Sequence, residues 1–173
     1  EQHLLSLKDM NQSRNLRALI DAGISSFKIE GRLKDLAYVK NVTAHYRRLL
    51  DEILTDLPDY RRSSSGVSEF FFTPNPDKTF NRGSTDYFLR ERQIDIGSFL
   101  TPKFAGEPVG QVTRVAAQHF EIDSREAIHN GDGFSYFNAN NELVGLRINR
   151  AEGSRLFPNE MPRDLVAGMT LYR

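Results

Sequence analysis

Between residues 36 and 53, apolar side chains recur every three or four positions: Leu36, Val39, Val42, Tyr46, Leu49, Leu50 and Ile53. That spacing predicts one long amphipathic helix over about residues 35–54, with a single face to bury. Lys40, His45, Arg47 and Arg48 lie largely off the stripe. Such a helix needs a sheet or another helix against it, and the residues before it supply the candidates. Residues 3–7 read as a short apolar strand ending at Lys8-Asp9. Leu16, Leu19 and Ile20 read as a helix that Asp9 or Asn11 can cap and that Gly23 stops. Residues 24–29 alternate as a second strand, broken at Glu30-Gly31-Arg32. Strand–helix–strand–helix is the repeating unit of a parallel α/β sheet.

Two such units are too few to cover both faces of a parallel sheet. Residue 1 is Glu rather than Met, so the chain is expected to enter in mid-fold, as the tail of a longer chain. A small complete α+β domain is the plainer alternative. Residues 56–66 are polar and loosest at Ser63-Ser64-Ser65-Gly66, while Pro74 and Pro76 cut short the run Phe70-Phe71-Phe72, so residues 58–79 read as a linker. The periodicity then changes. Residues 109–115, 119–123, 134–138, 143–149 and 169–173 are candidate strands, separated by turn signals such as Asn130-Gly131-Asp132-Gly133 and Asn138-Ala139-Asn140-Asn141. Short strands at this spacing suggest a small closed barrel, marginal in stability alone. The expected fold class is α/β plus all-β, with residues 80–173 forming the barrel domain and its leading segment.

Charge narrows the function classes. Lys and Arg together number 23, as do Asp and Glu, which excludes a strongly basic nucleic-acid arm and an acidic tail. Any contact with nucleic acid has to come from a local patch. The chain has no cysteine, so it offers no disulfide, no thiolate metal ligand and no Cys nucleophile. His3, His45, His119 and His129 never fall at a metal-binding spacing, and there is no phosphate loop, GxGxxG, GxSxG or evident nucleophile–base pair. No apolar run approaches the roughly 20 residues of a membrane span, and no secretion signal opens the chain.

In parallel α/β architectures ligands meet the carboxyl ends of the strands. That rule singles out Lys8 and Asp9 after the first expected strand, and Glu30 and Arg32 after the second. With Lys28 they would form a charged cluster at a barrel mouth. Arg32 is suited to fork onto a phosphate or carboxylate, and Glu30 to act as acid, base or ion-pair partner. An ion-pair network closing the sheet end is the competing reading. Arg82, Tyr87, Phe88, Arg90 and Arg92 interleave aromatic and basic side chains, a pattern that stacks unpaired bases and grips phosphates. The same aromatics could instead dock a linker. Arg114, Arg125, Arg147, Arg150 and Arg155 lie in the barrel segment, facing either RNA or solvent.

At Ser6-Leu7-Lys8-Asp9-Met10 and Ser26-Phe27-Lys28-Ile29-Glu30-Gly31-Arg32-Leu33-Lys34, then Tyr38-Val39 and Tyr46-Arg47, the chain resembles the collagenase-like peptidase U-32 family. Phe80-Asn81-Arg82-Gly83, Gly97-Ser98-Phe99, Pro102-Lys103-Phe104-Ala105-Gly106 and Pro108-Val109-Gly110 resemble the branch of that family that hydroxylates ribosomal RNA. The resemblance implies a TIM-barrel-like catalytic domain, of which residues 1–57 would be the C-terminal βαβα part, followed by a small β-barrel similar to those of translation factors. It implies ribosomal RNA or a ribosome assembly intermediate as the partner of the parent protein, a cytoplasmic location and no membrane. It also implies an iron–sulfur cluster bound by cysteines outside these residues. Many relatives carry a Cys just after Lys-Asp-x, where this chain has Asn11. The alternatives are a collagenase-like peptidase and a non-catalytic RNA- or protein-binding module. If the residues fold in isolation, the orphaned sheet edge would be covered by the linker or by another copy, making a homo-oligomer.

Overall fold

The computed structural model describes residues 3–173, which divide into two compact units: Lys8–Ile96, and residues 3–7 together with Gly97–Arg173. In the first unit a two-residue strand β1 (Asp9–Met10) leads through a 3-10 turn at Ser13–Asn15 into helix α1 (Leu16–Asp21). Leu16 and Ile20, one turn apart, are buried. Gly23 ends the helix at φ 91°, a left-handed conformation that costs glycine nothing. The long helix α2 runs over Leu36–Thr55, as the apolar stripe requires. Its N-cap is Asp35, whose carboxylate accepts the Tyr38 amide at 2.7 Å. Val42 and Ala44 are its buried residues. Asp51 on α2 binds both Arg47 and Arg62, which fastens the chain that follows the helix. Asn41 holds Asn75 by a reciprocal amide pair, and Asn75 in turn caps the 3-10 turn Pro76–Lys78. The unit closes with strand β2 (Ser84–Thr85), which pairs parallel to β1.

Two expected strands form no ladder. Residues 24–29 form no regular element and are exposed, with no ladder partner among the described residues. Residues 3–7 make only an isolated bridge, Leu7 to Gly97. Alternation supplies the faces of a strand, but a ladder needs a neighbour for its N–H and C=O groups. The parallel pair forms instead at Asp9–Met10 and Ser84–Thr85, runs too short to carry a periodic signal.

The second unit contains a closed antiparallel barrel of six strands. They are β3 (Pro108–Val115), β4 (Phe120–Ser124), β5 (Gly133–Phe137), β6 (Leu143–Glu152), β7 (Arg155–Pro158) and β8 (Thr170–Tyr172), in the order β3-β4-β7-β6-β5-β8. Alternate side chains point inward, so Val109, Val112, Phe120, Ile122, Phe134, Tyr136, Ile148, Leu156 and Leu171 share one core, joined by Leu165 from the segment before β8. Five of the strands follow the alternation read from sequence. The sixth, β7, is a four-residue strand ended by Pro158 and joined to β6 by the two-residue turn Gly153-Ser154. Closure leaves no free edge, which resolves the exposure problem of a small all-β domain. Among the described residues, no helix is long and apolar enough to cross a membrane.

Candidate functional site

Because β1 and β2 are parallel, with Asp9 opposite Ser84 and Met10 opposite Thr85, both chains leave the sheet at the same end. Asn11 and Asp86 are the first residues beyond it, tied by the Asn11 amide donating to the Thr85 carbonyl at 2.8 Å. In α/β folds this end is where diverging chains leave room for a ligand.

Asp9 lies just inside. Its Oδ2 accepts the Arg82 amide at 2.9 Å and Arg82 Nε at 3.4 Å, and Lys34 Nζ sits 3.7 Å from Oδ1. Lys34 also lies over the Phe80 ring, 4.0 Å from its centre, and 5.0 Å from that of Tyr38. Burial, and then the Asp9 charge, push the Tyr38 phenol above its usual range. Asp9 therefore holds the Arg82-Gly83 turn against β1, with two cations neutralising it. Lys8 turns to Asp95, with Nζ 2.7 Å from Oδ2, and its stem runs past Gly83.

Glu30 and Arg32 are exposed. Glu30 pairs with Lys28 at 3.4 Å and accepts the Arg32 amide at 3.2 Å. That amide first, and then Lys28, hold its carboxyl below the usual range. No ion pair joins Glu30 or Arg32 to Lys8 or Asp9 among the described residues; from this segment it is Lys34, two positions past Arg32, that reaches Asp9. The cluster expected from sequence is thus split in two.

A second set of side chains, none of them read from sequence as a site, converges beyond the strand ends. Tyr46 Oη accepts the Gln12 amide at 2.9 Å and donates to Asn11 Oδ1 at 3.1 Å. Asn11 Oδ1 also accepts the Ser13 amide at 3.0 Å and the Ser13 hydroxyl at 2.5 Å. Ser13 Oγ lies 2.8 Å from His45 Nε2. This is a hydroxyl–imidazole pair that spacing along the chain did not reveal, because the partners are 32 positions apart. Its proton count argues against a nucleophile. The serine proton is committed to Asn11, so His45 donates from Nε2 and is not placed as the base. The pair latches the 3-10 turn to α2. The missed signal was Asn11-Gln12-Ser13 and Asn15 standing directly after a strand.

Burial holds the His45 imidazole below its usual pKa; Arg48 acts in the same direction, while Asp77 and Glu52 oppose it. A depressed folded-state value means that the unfolded chain takes up the proton first. The stabilisation from neutral His45 is therefore complete above the unfolded value of about 6.5 and is lost as pH falls through the folded value. Urea titrations between pH 7.5 and 5 should show the wild type losing stability more steeply than His45→Gln. Equal slopes would show that the latch does not depend on neutral imidazole.

The residues expected to meet RNA are now placed. Arg82 is committed to Asp9. Tyr87 has φ 60° and packs against Phe88, with ring centres 4.7 Å apart and the rings tilted by 48°. Phe88 is 44% exposed, and Arg90 and Arg92 are exposed without a carboxylate partner among the described residues. On the barrel, Arg150 pairs with Glu152 and covers Phe157, and Arg155 pairs with Glu121. An iron–sulfur cluster does not fit the donor set here. The chain has no cysteine, and among the described residues no three His, Asp or Glu side chains gather at metal-binding distance.

These features define a helix-bearing unit with a polar site at its parallel strand ends, in one chain with a small closed β-barrel. The chain belongs to peptidase family U32, whose model matches residues 1–97. It is 54% identical over 170 residues to the 23S rRNA 5-hydroxycytidine C2501 synthase of Escherichia coli (strain K12), covering 95% of this chain and 26% of that protein. It is 29% identical over 138 residues to a collagenase of Porphyromonas gingivalis, covering 76% of this chain and 36% of that protein. It is 41% identical over 90 residues to tRNA hydroxylation protein P2 of Bacillus subtilis (strain 168), covering 51% of this chain and 28% of that protein. The chain thus spans only about a quarter to a third of the length of these relatives. No solved structure matches it.

Proposed function

We propose that these residues are part of an enzyme that hydroxylates a cytidine of 23S ribosomal RNA, and that they help dock that RNA. The observation that carries this reading is the 54% identity, sustained over 95% of the chain, to a 23S rRNA 5-hydroxycytidine synthase. A shared family with a tRNA hydroxylation protein supports RNA as the substrate class. In this reading residues 1–57 close a larger TIM-like barrel, residues 58–79 connect, and residues 80–173 carry the small barrel, with β2 lending a strand to the catalytic sheet. Ile24, Phe27 and Ile29, each about 40% exposed, would meet neighbouring strands of that barrel. Thiolates for an iron–sulfur cluster would come from outside these residues, and the cluster would supply the redox chemistry. The enzyme would work in the cytoplasm, on ribosomal RNA or an assembly intermediate.

Deletion of the gene tests the reading. Nucleosides digested from 23S rRNA should lose 5-hydroxycytidine by mass spectrometry, and the gene should restore it. An unchanged level in the deletion strain would sink the proposal. Collagenase activity draws less support: identity there is 29% over 76% of the chain, and Ser13 is tied up by Asn11.

A further inference from the structure

Asn130-Gly131 is the chain's one Asn-Gly step. Gly131 takes φ 91°, a backbone that glycine adopts without strain. The same missing Cβ leaves its nitrogen open to approach, which makes an Asn-Gly step prone to spontaneous imide closure. In that reaction the Gly131 nitrogen gives up its proton and bonds to Cγ of Asn130, and the carboxamide nitrogen leaves as ammonia. Water then opens the cyclic imide at either carbonyl. The product is aspartate or isoaspartate, and the latter carries the side-chain methylene in its main chain. Water is the only other reactant.

Asn130 and Gly131 are both exposed, so solvent reaches them. What they lack is freedom. The Gly131 amide donates to the Ile148 carbonyl at 2.7 Å, and the Ile148 amide donates back to the Asp132 carbonyl at 2.8 Å. Asn130 Oδ1 accepts the Ala151 amide at 2.8 Å. Nucleophile and electrophile are therefore each bound to β6 rather than to one another. β6 is laddered to β5 on one side and to β7 on the other, and Ile148 is fully buried in the core. Attack requires the turn to leave Ile148 and Ala151 together, because the first contact holds the proton of the attacking nitrogen and the second pins the carboxamide. Asp132-Gly133, the next step capable of imide closure, is restrained in the same way. Asp132 Oδ2 accepts the His129 amide at 2.9 Å and Arg173 Nη1 at 3.1 Å, donors that favour the carboxylate, a poor electrophile.

We propose that Asn130 is a latent site of backbone isomerisation that the closed barrel keeps shut, so that the lesion forms only when the turn opens away from β6. Isoaspartate lengthens the turn by one main-chain atom and cannot restore both contacts, so each closure of the imide removes a molecule from the native pool. The inference is independent of the RNA reading above. Its test holds the full-length gene product and a synthetic peptide of residues 126–147 side by side in mildly alkaline buffer. Trypsin cleaves after Arg125 and Arg147 and so releases the same peptide from the protein. Mass spectrometry then follows conversion at Asn130, and chromatography separates isoaspartate from aspartate. Conversion in the protein should be at least about a hundredfold slower than in the peptide. Gly110→Ala, whose added Cβ meets the Asp123 backbone, should speed it by about tenfold or more, and so should urea below the unfolding midpoint of the wild type. A native protein that converts close to the peptide rate would overturn the proposal. So would slow conversion that neither Gly110→Ala nor urea alters, since the turn alone would then be protective.

Discussion

Gly110→Ala is expected to destabilise the barrel by about 3 kcal/mol. Gly110 sits in β3, opposite Ser124 on β4 and Leu171 on β8, next to a register shift at Pro108. A Cβ built there lies 2.0 Å from the Asp123 carbonyl oxygen and 2.9 Å from its carbon. Both contacts are with backbone, so no side chain can swing aside. Relief requires β3 and β4 to part, and the strands of a closed barrel are held on both sides. Gly145→Ala in β6 is the internal control: its nearest neighbour is the Phe134 carbonyl at 4.0 Å, so it should be close to neutral. Urea denaturation of the two variants gives the comparison. A loss below about 1 kcal/mol for Gly110→Ala would show that the ladder yields more easily than its geometry implies.

Tyr136 should produce the other large effect. It is fully buried in the barrel core, and its hydroxyl donates to Asp164 Oδ1 at 2.5 Å. Tyr136→Ala opens a cavity of ring size and should cost about 4 kcal/mol. Tyr136→Phe keeps the ring and removes only a hydrogen bond to a charged acceptor. Because Asp164 is exposed and stays hydrated, that change should cost only about 1.5 kcal/mol. Burial, and then Asp164, push the phenol well above its usual value of 10.0. A raised folded-state value means the contribution is complete below the unfolded value and is lost as pH rises towards the folded one. Above about pH 10 the wild type should therefore lose stability faster than Tyr136→Phe. Near-equal costs for the two variants at neutral pH would mean that the hydrogen bond, not the packing, dominates.

The contrast between the units shows what a linear pattern can carry. The barrel was readable because each strand's inward side chains alternate locally, as in Phe134 and Tyr136 or Phe120 and Ile122, and because clusters such as Asn130-Gly131 mark the turns. The long helix was readable from Leu36 to Ile53 for the same reason, with Asp35 as its cap. The parallel pair was not, since two residues per strand hold no period and the partners are remote in sequence. Residues 24–29 carry a good alternation but no ladder, because pattern specifies a face and not a neighbour. In the site, Asp9 was read as following a strand over residues 3–7, whereas it opens β1 itself, and its partners Arg82 and Lys34 depend on the tertiary arrangement. Ser13 and His45 are ordinary polar residues in the chain, and only their convergence on Asn11 makes them notable.

The clamp between Asp9 and Arg82 joins positions 73 residues apart. Closing so long a span costs chain entropy that no local contact repays until both helices between them are in place. On a chain emerging from the ribosome, α1 and α2 can organise while β2 is still unsynthesised, and the paired strand ends come together last. Segments gathered late by distant contacts also tend to open first under native conditions. Amide protons at Asp9 and Asn11 should then exchange with solvent ahead of those in the middle of α2, so the paired strand ends should be the part of this unit that opens most readily.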